Sequence, residues 1–495
     1  MAREIEANYE QTFMLPPCLE DWVPAGHPAR FVRDFVDQLD LKALGFKERK
    51  GPAGAPRYSN GLLVKVWLYG YFEGLDSTRK LEKACLDRVG FIWLTGQHYP
   101  DHNTLWRFWH NNQKALQNLF LQAVKVGVKL DLVGMVLHAV DGTRIQSAAS
   151  SAKGLYKKKL TKALSRVEDA IEEYMRRVKD SGQPHTGEYE SQLPAELQDA
   201  QRRKQQIQSA LEELQSHGAS SYHPGDPDAE VVRCDRGLRF GYNAQAVADE
   251  KTGLVVAAEV CSQSGDKGLL TPMLKKTREN LGEVAKTTVA DGGYNTDCEV
   301  AEAASLGCEV LVSEHGQEKK GPLSPDKFTY DEERDTYQCP LGHELSFCGE
   351  DRTRTPPRRR YRCRNYKNCP MRWKCSKAKN GKMIVRSPFA QAVQEHNRRR
   401  DLPENRTKLK KRKAIIEHIF GWVKQNMHRR RWSACGLSNA RTEWLMLCTT
   451  WNLKLIYRKW LNQKFPKVPM GKGPLGPKRD TQIFPTPVWA TCAAI

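Results

Sequence analysis

Three acidic residues stand out because of what surrounds them. Asp141 follows an apolar, β-branched run in the stretch GMVLHAVDGTRI (134–145), and Gly142 comes directly after it. Asp291 ends a second apolar run in the same way, in TTVADGGYN. A buried strand that opens into a turn has this pattern, and it delivers a carboxylate to a rigid sheet edge. Taken singly, an Asp-Gly pair reads more readily as a turn cap. Glu417 lies far downstream in RKAIIEHIFGWVKQNMHRRRW, a helical pattern loaded with Lys and Arg. Two strand-end carboxylates and one helical carboxylate suit hard divalent cations, whose chemistry serves phosphoryl transfer.

In their order, spacing and flanking residues, these segments together resemble the DDE transposases of bacterial insertion sequences. Asp141 in Asp-Gly-Thr matches the first acid, Asp291 in Ala-Asp-Gly-Gly-Tyr the second, and Glu417 in Glu-His-Ile-Phe-Gly the third. Lys424, seven residues after Glu417, falls on the signature Lys. The signature Arg and Tyr, four and seven residues before the Glu, are replaced by Lys413 and Lys410. The resemblance runs from His27 to about Trp460. It implies a ribonuclease H-like catalytic core with an all-α N-terminal domain, in an α/β chain to which the residue pattern adds a helical-hairpin insertion and a Cys-rich insertion. It further implies two Mg²⁺ (or Mn²⁺) ions on Asp141, Asp291 and Glu417, which serve cleavage at the element ends and strand transfer. The implied partners are the terminal inverted repeats, target DNA and a second copy of the chain, since two ends must be joined. Asn243 and Gln245 in GYNAQ match a family pattern that lines the site, although bonding of strand ends accounts for such side chains equally. A metal-dependent nuclease that cuts without joining would use the same triad. An element-derived DNA-binding protein would have no need of it.

The elements that must position these acids follow from the hydrophobic pattern. FGYNAQAVADEKTGLVVAAEV (240–260) reads as two strands joined at Asp249–Gly253, with Gly in the turn. A helix from about Lys267 to Asn280, the strand before Asp291, a helix over Thr296–Ser305 and the strand CEVLVSE complete the core, assigned to residues 131–460. Asp141 then sits on the first strand and Asp291 after the fourth. Two segments interrupt this core. Residues 152–217 carry Leu160, Leu164, Val167, Ile171, Tyr174 and Val178 at alternating spacings of four and three, then Leu197, Ile207, Leu211 and Leu214. That is the seam of an antiparallel helical hairpin. Its Lys157, Lys158 and Lys159 read either as DNA contacts or as a solvated face.

Residues 317–385 hold Cys339, Cys348, Cys363, Cys369 and Cys375 with His343 nearby. Clustered thiols in a reducing compartment suggest zinc, but tight Cys-x2-Cys knuckles are missing and a metal-free lobe packed by Tyr361, Tyr366 and Trp373 is the alternative. The Cys pattern of related transposases singles out Cys339, Cys363, Cys369 and Cys375 as the ligands of a structural Zn²⁺. Residues 1–130 read as all-helical, with Phe31, Phe35 and Leu39 after Pro28. A helix near Asn60 carries Leu62, Val66, Tyr69 and Phe72 and is weakened by Gly70 and Gly74. A third runs over Thr78–Val89, and a long one starts at Asp101–Thr104 and carries Leu105, Phe108, Trp109, Leu116, Leu119 and Phe120. Such a set is either a helix-turn-helix-like DNA reader or a helical domain packed on the core. The resemblance assigns it to end recognition.

Charge points to a polyanionic partner. The 495-residue chain carries a formal charge of +21 and a pI near 9.4. Thirteen Lys or Arg fall between Glu395 and Arg431, opposed by Glu395, Asp401, Glu404 and Glu417. Lys410, Lys413, Lys424, Arg429 and Arg430 are therefore the expected DNA-backbone contacts, while Ile415, Ile416, Ile419, Phe420 and Val423 form the stripe that seats the helix of Glu417. Fourteen Cys behind a polar N-terminus, MAREIEANYEQ, argue for a reducing, cytoplasmic and nucleoid-associated setting. No membrane span is expected: the most apolar stretch, Leu62–Phe72, is short and contains Lys65. The Pro- and Gly-rich tail, 461–495, reads as weakly ordered.

Overall fold

The computed structural model describes residues 18–47, 57–180, 195–235, 237–314, 323–376 and 378–464. The expectations for the extreme N-terminus, for the break around Gly182–Pro184 and for nearly all of the tail lie outside those residues.

The N-terminal part is helical: α1 (Pro28–Asp37), α2 (Asn60–Phe72), α3 (Thr78–Asp87), α4 (Val89–Thr95), α5 (His102–Asn111) and α6 (Gln113–Lys129). Local chemistry starts these helices. The His27 ring accepts the Ala29 N–H with Pro28 at the first helical position, Ser59 caps the Leu62 N–H, and Asp101 caps Thr104. Two helices are shorter than the periodicity predicts. The third stops because Arg88 is extended (φ −113°, ψ 120°), and the long fourth one breaks at Asn112, whose amide turns back to the Phe108 carbonyl at 2.9 Å. Gly70 does more than weaken α2. Leu81 of α3 occupies the space a side chain there would need, so the glycine allows α2 and α3 to approach.

The catalytic-side sheet begins with β1 (Leu137–Gln146). A short ribbon of β2 (Leu155–Tyr156) then leads into α7 (Lys157–Asp180) and α8 (Ala195–Ser216), and β3 (Ser221–Tyr222) closes the ribbon. The two helices pack on each other, with Ile207 and Leu214 buried and a Lys204–Glu168 pair at 2.9 Å. Next come β4 (Glu230–Cys234), β5 (Gly237–Asp249), β6 (Val255–Cys261), α9 (Leu270–Leu281), β7 (Thr287–Ala290), α10 (Asp297–Ser305) and β8 (Glu309–Val312). The order across the sheet is β4-β5-β1-β7-β8, with β6 also on β5. β5 is antiparallel to β1, β4 and β6, whereas β1, β7 and β8 run parallel. The edge strand β4 falls in the stretch from Asp226 that reads as strand-like, with Val232 as its buried residue.

A second, smaller sheet follows: β9 (Thr329–Asp331), β10 (Thr336–Gln338), β11 (Glu344–Asp351), β12 (Arg358–Cys363) and, after α11 (Arg372–Cys375), β13 (Met383–Arg386). Its strands are antiparallel in the order β13-β12-β11-β10-β9 and enclose their own core of Phe328, Tyr337, Leu345, Tyr361, Cys363 and Ile384. The chain then returns to the main sheet through α12 (Ala390–Arg400), α13 (Pro403–Gly421), a π-turn at Trp422–Asn426 and α14 (Leu437–Lys464). α14 is buried between the N-terminal helices and β6. Its Asn452 donates to and accepts from the Val255 backbone, and the Trp444 indole donates to the Gln245 carbonyl at 2.9 Å. One continuous core thus joins the helical part to the sheet. Among the described residues no helix is long and apolar enough to cross a membrane.

Candidate active site

Two parallel strands in register bring the first two acids together. β1 pairs with β7 up to Val140↔Ala290, so the next residues of the two strands, Asp141 and Asp291, emerge side by side where β7 ends. Asp141 itself is not at a strand end. β1 continues through Gly142 to Gln146 along β5, with Asp141 opposite Ala246 and Gly142 opposite Gln245. The glycine serves packing and not a turn: a side chain on it would collide with the amides of Gln245 and Asn243. Asp291, by contrast, does terminate its strand and leads into a short 3₁₀ turn, Gly292–Tyr294.

One arginine bridges the pair. Arg412 of α13 is buried, donates to the Asp141 carboxylate, and reaches Asp291 Oδ1 at 3.3 Å. Burial raises the Asp141 carboxyl above its usual value, opposed by the Arg412 charge and the Gly142 N–H at 2.8 Å and reinforced by the charges of Asp291 and Asp266. Glu417 does not join them. It is exposed on α13, five residues past Arg412, which on a regular helix turns it about 140° away. Among the described residues, no three His, Cys, Asp or Glu side chains form a group arranged to hold a metal ion.

A buried polar network underlies the pair. Asp266 accepts from Asn243 Nδ2 at 2.9 Å, Gln245 Nε2 at 3.0 Å and Arg144 Nη2 at 2.5 Å. The Gln245 side-chain oxygen, Oε1, in turn accepts from the Tyr294 hydroxyl, three residues after Asp291. Asn243 and Gln245 therefore tie β5 to the segments that carry both aspartates. Arg144, Asp266, Tyr294 and Arg412 were not singled out from sequence. Arg412 is hidden in a run of four basic residues, and Arg144 is marked only by lying three residues after Asp141.

The expected cationic contacts divide. Lys410 and Lys413 are exposed on α13. Lys424 and Arg430 meet Arg144, Gln146, His428 and Arg431 around an open basin of about 470 Å³. Asp235 faces the same basin, 3.2 Å from Lys424 and 3.9 Å from Arg430. Arg429 points the other way, and here the sequence expectation is corrected. It is buried, paired with Asp76 at 2.8 Å and Glu443 at 2.9 Å, and its charge joins the N-terminal helices to α14.

In the small sheet, Cys339, Cys363, Cys369 and Cys375 line one cavity of about 30 Å³, together with His343. The Cys339 sulfur accepts the backbone N–H groups of Leu341 at 3.3 Å and His343 at 3.4 Å. All four are free thiols, and Cys348 lies exposed on β11, outside the cavity. Burial pushes the Cys363 and Cys375 thiols above their usual values.

Comparison with known proteins gives two family matches. Residues 17–111 match a transposase domain (DUF772), and residues 338–457 match a transposase DDE domain. No curated protein matches. Among solved structures, a piggyBac transposase synaptic complex with hairpin DNA is 10% identical, with 89% of this chain and 76% of that one covered, at a TM-score of 0.31. A likeness that loose carries no argument.

Proposed function

We propose that the chain is a DDE transposase that cleaves DNA at the ends of an insertion sequence and transfers the freed 3′ ends to target DNA at the site of Asp141 and Asp291, a reading supported by the matches to a transposase domain over 17–111 and to a transposase DDE domain over 338–457. The observation that carries this reading is the in-register meeting of the two carboxylates at the end of β7. Three antiparallel strands (β6, β5, β1) followed by two parallel ones (β7, β8) support reading the core as ribonuclease H-like.

The donor set fits a hard cation in part. Asp141 and Asp291 supply adjacent oxygen ligands already shared by one positive group, while Glu417 stands apart from them on α13. Asp141, Asp291 and Glu417 are proposed to hold Mg²⁺ or Mn²⁺, two ions in all. When bound there, the ions supply charge stabilisation at the attacking and leaving oxygens of the phosphodiester. The protein's own groups do the rest. Asp266, Gln245 and Tyr294 hold the two aspartate-bearing segments in fixed relation. Lys424, Arg430 and the other cations of the basin, with Lys410 and Lys413 on the exposed helix, take the DNA backbone. No covalent enzyme intermediate is required, so no Ser or Tyr nucleophile is assigned. Two copies of the chain are proposed to act on paired ends. The four thiols are proposed to hold one structural Zn²⁺, supported by their lining one cavity and by the two N–H groups on the Cys339 sulfur.

The test is Asp141→Ala, Asp291→Ala and Glu417→Ala in parallel gel-shift and strand-transfer assays on a duplex with a labelled end. Cleavage and joining should fall together by a factor of about 100 or more, with end binding kept. A variant with full joining activity removes that residue from the site. Nicks without joined products in the wild type would mark a nuclease that only cuts.

A further inference from the structure

We propose that Arg412 is a built-in counter-ion of the Asp141–Asp291 pair, one that a divalent cation must displace from those oxygens in order to bind. The inference rests on reading the pair as a metal site, and it concerns how that site is occupied before metal arrives.

Two adjacent carboxylates repel each other, and Asp141 is largely withdrawn from water, where that repulsion is poorly screened. Among the described residues, Arg412 is the cation ion-paired with either of them, and it is paired with both. The neighbouring Arg144 is committed to Asp266 instead. An arginine suits this position for a geometric reason: its planar fork presents separate N–H groups to two acceptors, which a lysine ammonium does less well. Its place on α13 is also set from outside the site. Ile416, Ile419 and Val423 bury the same side of the helix on which Arg412 lies, so the guanidinium is delivered to the strand ends by core packing. The adjacent Lys411 and Lys413 lie exposed.

An oxygen that accepts a buried guanidinium is not free for a metal. Binding therefore exchanges one cation for another, and the apparent affinity of the metal-free protein carries the cost of removing Arg412. In return the repulsion between the two carboxylates is partly offset when no metal is present.

The experiment is a Mn²⁺ titration of the full-length protein without DNA, with free Mn²⁺ followed by electron paramagnetic resonance, together with thermal melting in the absence of metal. Arg412→Gln and Arg412→Ala should bind Mn²⁺ tighter by about tenfold or more. They should melt lower without metal and recover when saturated with Mn²⁺. Arg412→Lys, which keeps a charge and so guards against loss of folding, should fall between them and wild type in both measurements. Unchanged or weaker Mn²⁺ binding by the Gln and Ala variants, with Asp141→Asn abolishing it, would overturn the proposal alone: Arg412 would then be supporting the ligands and not competing with the metal. If Asp141→Asn and Asp291→Asn bind Mn²⁺ as wild type does, the metal reading of the pair fails and the Arg412 proposal falls with it.

Discussion

At the scale of residues, the approach of β1 to the site depends on a carboxylate that lies away from the chemistry. Asp249 closes the β5–β6 turn and is fully buried. It accepts the N–H groups of Gly134 at 3.0 Å, Met135 at 3.2 Å and Lys251 at 2.9 Å, with His138 at 3.3 Å. Met135 has φ +55°, a conformation that this carboxylate helps to hold. Burial raises the Asp249 carboxyl, but His138 and the backbone donors more than reverse that, and the group ends below its usual value. A carboxyl lowered on folding stabilises the protein above its unfolded value, about pH 3.9, and that stability is lost as pH falls through the lowered folded value. Asp249→Asn should therefore cost about 1–3 kcal/mol at pH 7 in denaturant unfolding, and the gap to wild type should narrow below about pH 4. A gap that stays constant to pH 3 would mean that the charge is not what matters. The strands that carry or precede Asp141 and Asp291 were legible in sequence because apolar runs lead into both. Arg412 was not, because a basic residue among basic neighbours has no pattern of its own; only the buried face of α13 distinguishes it.

At the scale of elements, periodicity located the strongly amphipathic segments and failed where burial is uniform or weak. The β5–β6 hairpin, the buried Ile415, Ile416 and Ile419 of α13 and Val423 of the π-turn after it follow the sequence pattern closely. The separate helix α4 after Arg88 was missed, and so was the break at Asn112, where apolar periodicity runs straight across. The five strands of the small sheet were missed for a different reason: three of them span only three or four residues, and their core is confined to six buried residues. So small a core is the physical argument for a cross-link at the thiols, since little apolar area is buried to offset chain entropy. Purified protein should carry about one equivalent of zinc. Cys369→Ser should lower that content and make the small sheet susceptible to limited proteolysis, while Cys348→Ser, outside the cavity, should do neither. Elemental analysis that finds no zinc after mild purification removes the site.

At the scale of the whole molecule, a charge of +21 says that a polyanion is attracted but not which cations meet it. The tertiary structure separates cations that face solvent from those that hold the chain together, a division invisible in the run Arg429–Arg431. Arg430 lines the open basin, whereas Arg429 is sealed between Asp76 in the α2–α3 turn and Glu443 of α14. Glu443 lies fully inside, and burial raises its carboxyl above the usual value against the pull of Arg429. Removing one partner of such a pair strands the others. Arg429→Ala should accordingly cost about 3–5 kcal/mol of stability and leave the salt dependence of DNA binding unchanged. Lys410→Ala and Lys413→Ala should behave in the opposite way, each lowering the slope of log K against log salt by about one with no change in melting. Binding isotherms at several salt concentrations, set beside denaturant unfolding of the same variants, make the comparison. Should Arg429→Ala flatten the salt slope while melting like wild type, the buried bridge between helices and core is not what holds that arginine, and its place on the DNA surface would have to be restored.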